Sequence, residues 1–196
     1  MTKIAVVYHS TYGHTKLQAE AVVRGAASVD GVETLFLTSA EAIERMDELD
    51  SADAIVFGSP TYMGNIASDM KKFMEAAVKK WSTQAWKDKI AGAFTNSSSY
   101  SGDKLNTLMG LVVNAMQHGM IWVGSAVFPA ANRPDSMNAV EGPGPDALNR
   151  VGSFIGPMAA SFQVEPPKAP PEGDIKTAEA YGKRIAEITL RFIGGR

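Results

Sequence analysis

Ile4-Ala5-Val6-Val7-Tyr8-His9-Ser10-Thr11-Tyr12-Gly13-His14-Thr15 passes from an apolar run into a hydroxyl-rich turn, and a helical pattern begins directly after it. A strand that apolar is buried on both faces, as in a parallel sheet, and it delivers the chain to the carboxyl edge of that sheet. There the amino end of the next helix offers unpaired N–H groups and a positive dipole end, the ingredients of a phosphate site. Ser10, Thr11 and Thr15 add hydroxyl donors, and Gly13 permits close backbone approach. The turn holds no Lys or Arg. A phosphate bound here is therefore held by neutral dipoles, unlike one in a P-loop, which needs its Lys. The plain alternative is an ordinary strand-to-helix turn with a Ser or Thr cap.

Working outward, the same alternation of short apolar runs and helical periodicity recurs. A helix is expected over 15–28, a strand over 33–37, a short helix over 39–49 and a strand over 53–58. A third helix follows over 66–81, where Ile66, Met70, Phe73, Met74 and Ala77 fall at helical spacing. A strand over 90–95, a helix over 104–117, a strand beginning at Met120 and a last helix over 175–192 complete the order. This is the pattern of an α/β, doubly wound, five-stranded parallel sheet with helices on both faces. Between Phe128 and Pro171 the period fails and Gly and Pro recur, which marks a long connection over the active-site edge or a surface excursion used for subunit contacts. Its proline-rich end, residues 166–171, is expected to be extended.

The chain has 196 residues, 45% of them hydrophobic, enough for one sizeable domain spanning 1–196. A net charge of −2 without charge blocks gives no reason to expect nucleic acid or membrane partners. With no cysteine there is neither disulfide nor thiolate chemistry, and three scattered histidines give no metal-ligand spacing, so no metal is expected. Met1-Thr2-Lys3 leads straight into the strand, without a signal core or an apolar span. The expectation is a soluble, cytoplasmic protein.

Ligands of open parallel sheets bind beyond the carboxyl ends of the strands, where strand order reverses. Three loops should meet there: the first turn, Gly58-Ser59-Pro60-Thr61-Tyr62-Met63-Gly64-Asn65 and Asn96-Ser97-Ser98-Ser99-Tyr100-Ser101-Gly102. Small and hydroxyl residues with a tyrosine in each suit a flat ring with a hydrogen-bonding edge.

The segments YHSTYGHT, FGSPTYMGN, the Ser-rich loop after AGAFT and HGM before the fifth strand resemble, in order and over nearly the whole chain, the flavodoxin-like NAD(P)H:quinone oxidoreductases of the WrbA type. The resemblance implies FMN as cofactor, NADH or NADPH as co-substrate, a quinone as acceptor, and a homodimer or homotetramer. It implies that Ser10, Thr11, Tyr12, Gly13, His14 and Thr15 bind the FMN phosphate, with Tyr12 also bordering the nicotinamide pocket. Pro60, Thr61, Tyr62 and Met63 would follow the isoalloxazine, Gly64 and Asn65 would shape the turn into the third helix, and Asn96, Ser97, Ser98, Ser99, Tyr100, Ser101 and Gly102 would complete the cradle. Trp81 would wall the quinone site, or else be a helix-end aromatic, with Trp86 a core residue nearby. Gln117 stands where the family carries a histidine against the flavin, with His118 beside it. Either would assist the flavin, or His118 caps its helix by its interaction with the negative dipole end. Tyr62-Met63 replaces an Arg-Phe pair common in the family, which removes a positive charge, and a Gly-rich third loop has become Ser-rich. No dedicated catalytic side chain is implied. The alternatives are a one-electron flavodoxin and a non-catalytic module that has kept the fold.

Overall fold

A computed structural model describes residues 1–195. Strands β1 (Thr2–Tyr8), β3 (Ala54–Tyr62) and β5 (Ile90–Ser97) are buried almost throughout, as their apolar sequences require. β2 (Val32–Thr38) pairs with β1 in parallel, and β6 (Ile121–Trp122) pairs with β5 at Ile90 and Ala91. The order β2-β1-β3-β5-β6 is that of flavodoxin-type sheets and reverses between β1 and β3.

Helices cover both faces. α1 (His14–Ala27) and α6 (Glu172–Gly194) lie on one face, over a core that includes Val6, Val56, Phe94 and Tyr181. The other core is built from Phe57, Phe73, Trp86 and Leu108. It is covered by α2 (Ser39–Glu44), α3 (Ser68–Ala76), α4 (Val78–Ser82) and α5 (Lys104–Gln117). The sequence Thr38-Ser39-Ala40-Glu41 starts α2 with a reciprocal capping box. α1 and α6 approach closely because both carry glycine at the crossing. A Cβ on Gly25 would fall on the Glu179 carbonyl, and one on Gly182 on that of Val22.

Several boundaries differ from the sequence expectation. The helix expected over 39–49 ends at Glu44 and tightens into a 3₁₀ turn, Met46–Ser51, in which Asp47 and Asp50 are held by Lys80. The third helix breaks at Ala77. Its expected first residue, Ile66, belongs to a two-residue strand, β4 (Asn65–Ile66), antiparallel to the end of β3. The fifth strand position is shared: β6 fills the lower edge of β5, and β7 (Met158–Ala160) fills the upper edge at Thr95, Asn96 and Ser97, also in parallel. The chain between them loops out and back, fastened where Ser125 N donates to the Phe154 carbonyl and Trp122 Nε1 to the Ile155 carbonyl. The proline-rich end turns rather than extends, with Lys168 N donating to the Glu165 carbonyl.

Candidate functional site

At the carboxyl edge lies a cleft of about 540 Å³, walled by the three anticipated turns and by residues of the segment after β7. In the first turn Ser10 Oγ accepts from the Gly13 and Lys16 amides (3.1 and 3.2 Å). Gly13 sits at φ 93 as the helix cap, a conformation that favours glycine. No acidic residue occupies the first turn of α1, so its positive end is left for a ligand. Thr15 is buried in the cleft wall, and His14 Nε2 is 2.7 Å from the Val164 carbonyl, which ties the turn to the far segment.

In the second turn β3 runs on to Tyr62 and folds back through Met63 and Gly64, both at positive φ (47 and 72). That pair is a two-residue hairpin of the primed type, which explains the glycine and places an unusual methionine fully exposed at the cleft mouth. The turn is thus made by Met63 and Gly64, while Asn65 lies in β4 with Oδ1 accepting from the Ile66 amide. Below it, Thr61 Oγ1 lies 2.8 Å from both Thr95 Oγ1 and Thr107 Oγ1, a buried hydroxyl cluster that fixes the floor. Tyr62 meets Tyr12 edge to face, with ring centroids 6.3 Å apart, and the two form an exposed aromatic rim.

The third turn carries Asn96, 5% exposed, whose Nδ2 donates to Ser161 Oγ (3.2 Å) while its Oδ1 has no partner. An orphaned buried acceptor in a ligand cleft is costly unless a ligand N–H meets it. Ser97, Ser98, Ser99 and Gly102 stand on the same wall. β7 props this turn from behind, with the Ser161 and Phe162 amides donating to the Ser97 and Ser98 carbonyls. No lysine or arginine stands on the wall among the described residues.

Of the anticipated residues, Ser10, Tyr12, His14, Thr15, Pro60, Thr61, Tyr62, Met63, Gly64, Asn96, Ser97, Ser98, Ser99 and Gly102 line the cleft. Thr11, Gly13, Asn65, Tyr100 and Ser101 shape its turns from outside the wall. Trp81, Gln117 and His118 are not brought there. α4 and α5 run away from the carboxyl edge, so their last residues lie at the amino edge, beside the start of β5. Gln84 Nε2 links the Trp81 and Gln117 carbonyls at that edge. His118 is buried against the Trp86 ring (4.5 Å), and burial lowers its pKa, so it does not cap α5 as a cation. Trp86 is the fully buried core residue, with Nε1 donating to Asp50. The sequence reading missed Ser161, Gln163 and Glu165, which line the cleft from the irregular segment. The short run Met158-Ala159-Ala160 was their only signal.

A neutral amide and hydroxyl cradle at one end and an unpartnered buried acceptor at the other suit a phosphate tail and the hydrogen-bonding edge of a flat heterocycle. The NADPH-dependent FMN reductase family matches residues 32–135. The chain belongs to that family. FMN is accordingly its cofactor, and the residues on the wall fit that group. Among similar proteins, flavodoxin FldP of Pseudomonas aeruginosa is 39% identical, covering 96% of this chain and 97% of that protein. An NAD(P)H dehydrogenase (quinone) of Syntrophobacter fumaroxidans is 30% identical, covering 97% and 98%. Among solved structures, a WrbA-like flavodoxin from Agrobacterium tumefaciens superposes with a TM-score of 0.70 at 37% identity, covering 97% of this chain and 99% of that one.

Proposed function

We infer that the protein is an FMN-dependent oxidoreductase that takes reducing equivalents from NADH or NADPH and delivers two electrons to a quinone. The observation that carries the reading is the cleft itself: an uncharged phosphate turn, a buried free acceptor at Asn96 and an open mouth rimmed by Tyr12 and Tyr62. Bound FMN supplies the hydride acceptance and electron donation. The chain supplies the rest. Ser10 and Thr15 hold the phosphate by neutral dipoles on a turn that Gly13 shapes, Asn96 Oδ1 accepts from the ring edge, and the Thr61–Thr95–Thr107 hydroxyls keep the floor rigid. Tyr12, Tyr62 and Met63 leave a half-open apolar mouth in which nicotinamide and then quinone are placed in turn, which predicts ping-pong kinetics.

The reading includes a cytoplasmic location and a homodimer or homotetramer. No described helix is long and apolar enough to cross a membrane. Leu105, Met109, Val113 and Met116 make an exposed apolar stripe along α5, which suits a subunit contact. Light scattering of the purified protein tests the assembly.

The test of function is to load apo-protein with FMN and follow NADH and NADPH loss with and without benzoquinone. Absence of flavin uptake, or oxidation that quinone does not stimulate, rejects the reading. The similarity to flavodoxin FldP favours a second reading, a one-electron carrier. A redox titration that resolves two separate one-electron steps would decide for the carrier, and a single two-electron step for the enzyme.

A further inference from the structure

Behind the third turn lies a cation that none of the roles above uses. Lys104, the first residue of α5, is fully buried. Its ammonium donates to Ser97 Oγ (2.8 Å) and to the Ser99 and Tyr100 carbonyls (2.6 and 2.9 Å), so all three of its protons go to that turn. The placement is unfavourable twice over, because burial strips the charge of water and the helix end beside it is itself positive. The carboxylate that attracts it, Asp174, already has both oxygens bonded by Arg150 (2.9 and 2.8 Å), in a pair as buried as Lys104. Arg150 reaches the same turn through the Tyr100 hydroxyl (3.2 Å) and reaches β7 through the Ala160 carbonyl (3.1 Å). With Lys104 protonated the trio therefore carries one net positive charge directly behind the ring end of the cleft, whereas no lysine or arginine stands on the wall at the phosphate end.

We propose that Lys104 is a positioning residue that clamps the 97–100 turn and, with Arg150 and Asp174, places a positive field at the ring end of the cleft, so that the protein favours two-electron-reduced FMN over oxidised FMN. The proposal rests on FMN occupying this cleft. Reduction adds negative charge to the pyrimidine edge of the ring, and a fixed cation in a dry wall favours the form with more negative charge. A hydrogen-bonding clamp alone would hold both forms equally. Burial pulls the Lys104 pKa down to about 8, so its charge declines within an accessible pH range. The charged and titratable groups that face it are Asp174 on α6, Arg150 on the segment before β7 and Tyr100 on the turn itself.

The test measures dissociation constants of oxidised and dithionite-reduced FMN, anaerobically, for the full-length protein and for Lys104→Gln and Lys104→Met. Thermal unfolding checks that each variant is folded. Gln keeps donors for the turn without the charge. In both variants the reduced form should weaken by about tenfold more than the oxidised form, equivalent to about 1.4 kcal/mol. Equal weakening of the two forms, or full rescue by Gln of the ratio lost in Met, reduces Lys104 to a structural clamp and overturns the proposal. Should Met fail to fold, Gln carries the comparison together with a pH series. The preference for reduced FMN should decline between pH 7 and 9 in the natural protein and stay flat in Lys104→Gln, and identical profiles would overturn it. Failure of the natural protein to bind oxidised FMN would reject the cofactor assignment, a result distinct from an unchanged ratio.

Discussion

At the phosphate end of the cleft, residues 10–15 are closed by hydroxyl, amide and imidazole groups without a lysine or arginine, whereas the ring end rests on the buried Lys104 and the Arg150–Asp174 pair. The phosphate brings full charge to the protein, so α1 meets it with a dipole end and needs no cation. The ring is nearly neutral when oxidised, and charge stored behind its turn acts on the change in redox state rather than on capture. Burial acts on that charge in two opposed ways: a dry wall screens it little, but the same loss of water disfavours the charged forms, raising the Asp174 pKa against the pull of Arg150 and lowering that of Lys104.

The phosphate end depends on where α1 points, and α1 is aimed by α6. Gly182→Ala and Gly25→Ala each put a methyl onto a backbone carbonyl that cannot yield, so α1 must lift away from α6. A cost of roughly 2–3 kcal/mol is expected from overpacking of this kind. In a domain of this size that lowers Tm by about 4–12 °C, read by calorimetry. FMN affinity should fall in these variants more than riboflavin affinity, because the ring end meets α6 at Asp174, near the helix start, and α1 directly only at the phosphate end.

Asn96→Ala attacks the other end. It removes the one buried acceptor left free on the wall, and loss of such a hydrogen bond costs about 1–2 kcal/mol. FMN and riboflavin should therefore both weaken by about five- to thirtyfold in fluorescence titrations. Loss confined to FMN would show that Asn96 does not meet the ring.

How much of this division could be read in advance follows from where each signal lies. The alternation of apolar runs and helices was enough to indicate a parallel sheet between two helical layers, because a strand such as Ile4-Ala5-Val6-Val7 has no stable place elsewhere, while the order of the strands is not written in that alternation. The turn residues of the cleft were legible for the same reason, as they directly follow those strands. Lys104 looked like an ordinary helix-start lysine, since the charged groups it faces, Asp174 and Arg150, lie far away in sequence. Ser161, Gln163 and Glu165 were hidden because β7 has three residues and pairs along only part of β5, too short to show a period. Trp81, Gln117 and His118 were misplaced because motif order says nothing about which edge of the sheet a helix end occupies. The α3–α4 run that ends near Trp81 and the α5 helix that ends at Gln117 both start on the cleft side and end away from it.

Thr15→Val is the gentler probe of the phosphate end, since it keeps the shape of a buried side chain and removes one hydroxyl. A neutral hydrogen bond is worth about 1 kcal/mol, so FMN affinity should fall about fivefold while riboflavin affinity stays unchanged. Because no lysine or arginine stands on the wall, raising salt from low to physiological ionic strength should change FMN affinity less than about twofold. A steep salt dependence would mean that a lysine outside the wall, such as Lys16, reaches the phosphate.

The smallest effect is expected at the amino edge, which takes no part in the contrast between the two ends of the cleft. His118 is buried against Trp86 with its Nδ1 unpartnered, and burial lowers its pKa below the ordinary 6.5. The unfolded chain therefore takes up a proton at His118 before the folded chain does, and stability falls as pH drops through and below about 6.5. His118→Gln removes that titration. Its stability relative to the natural protein, followed by urea unfolding, should improve steadily from pH 7 to 5, while FMN affinity stays within about twofold. A pH-independent difference would mean that His118 is as readily protonated folded as unfolded. A large loss of FMN affinity would instead mean that this edge meets a cofactor after all, which the single chain permits only if a second subunit carries it there.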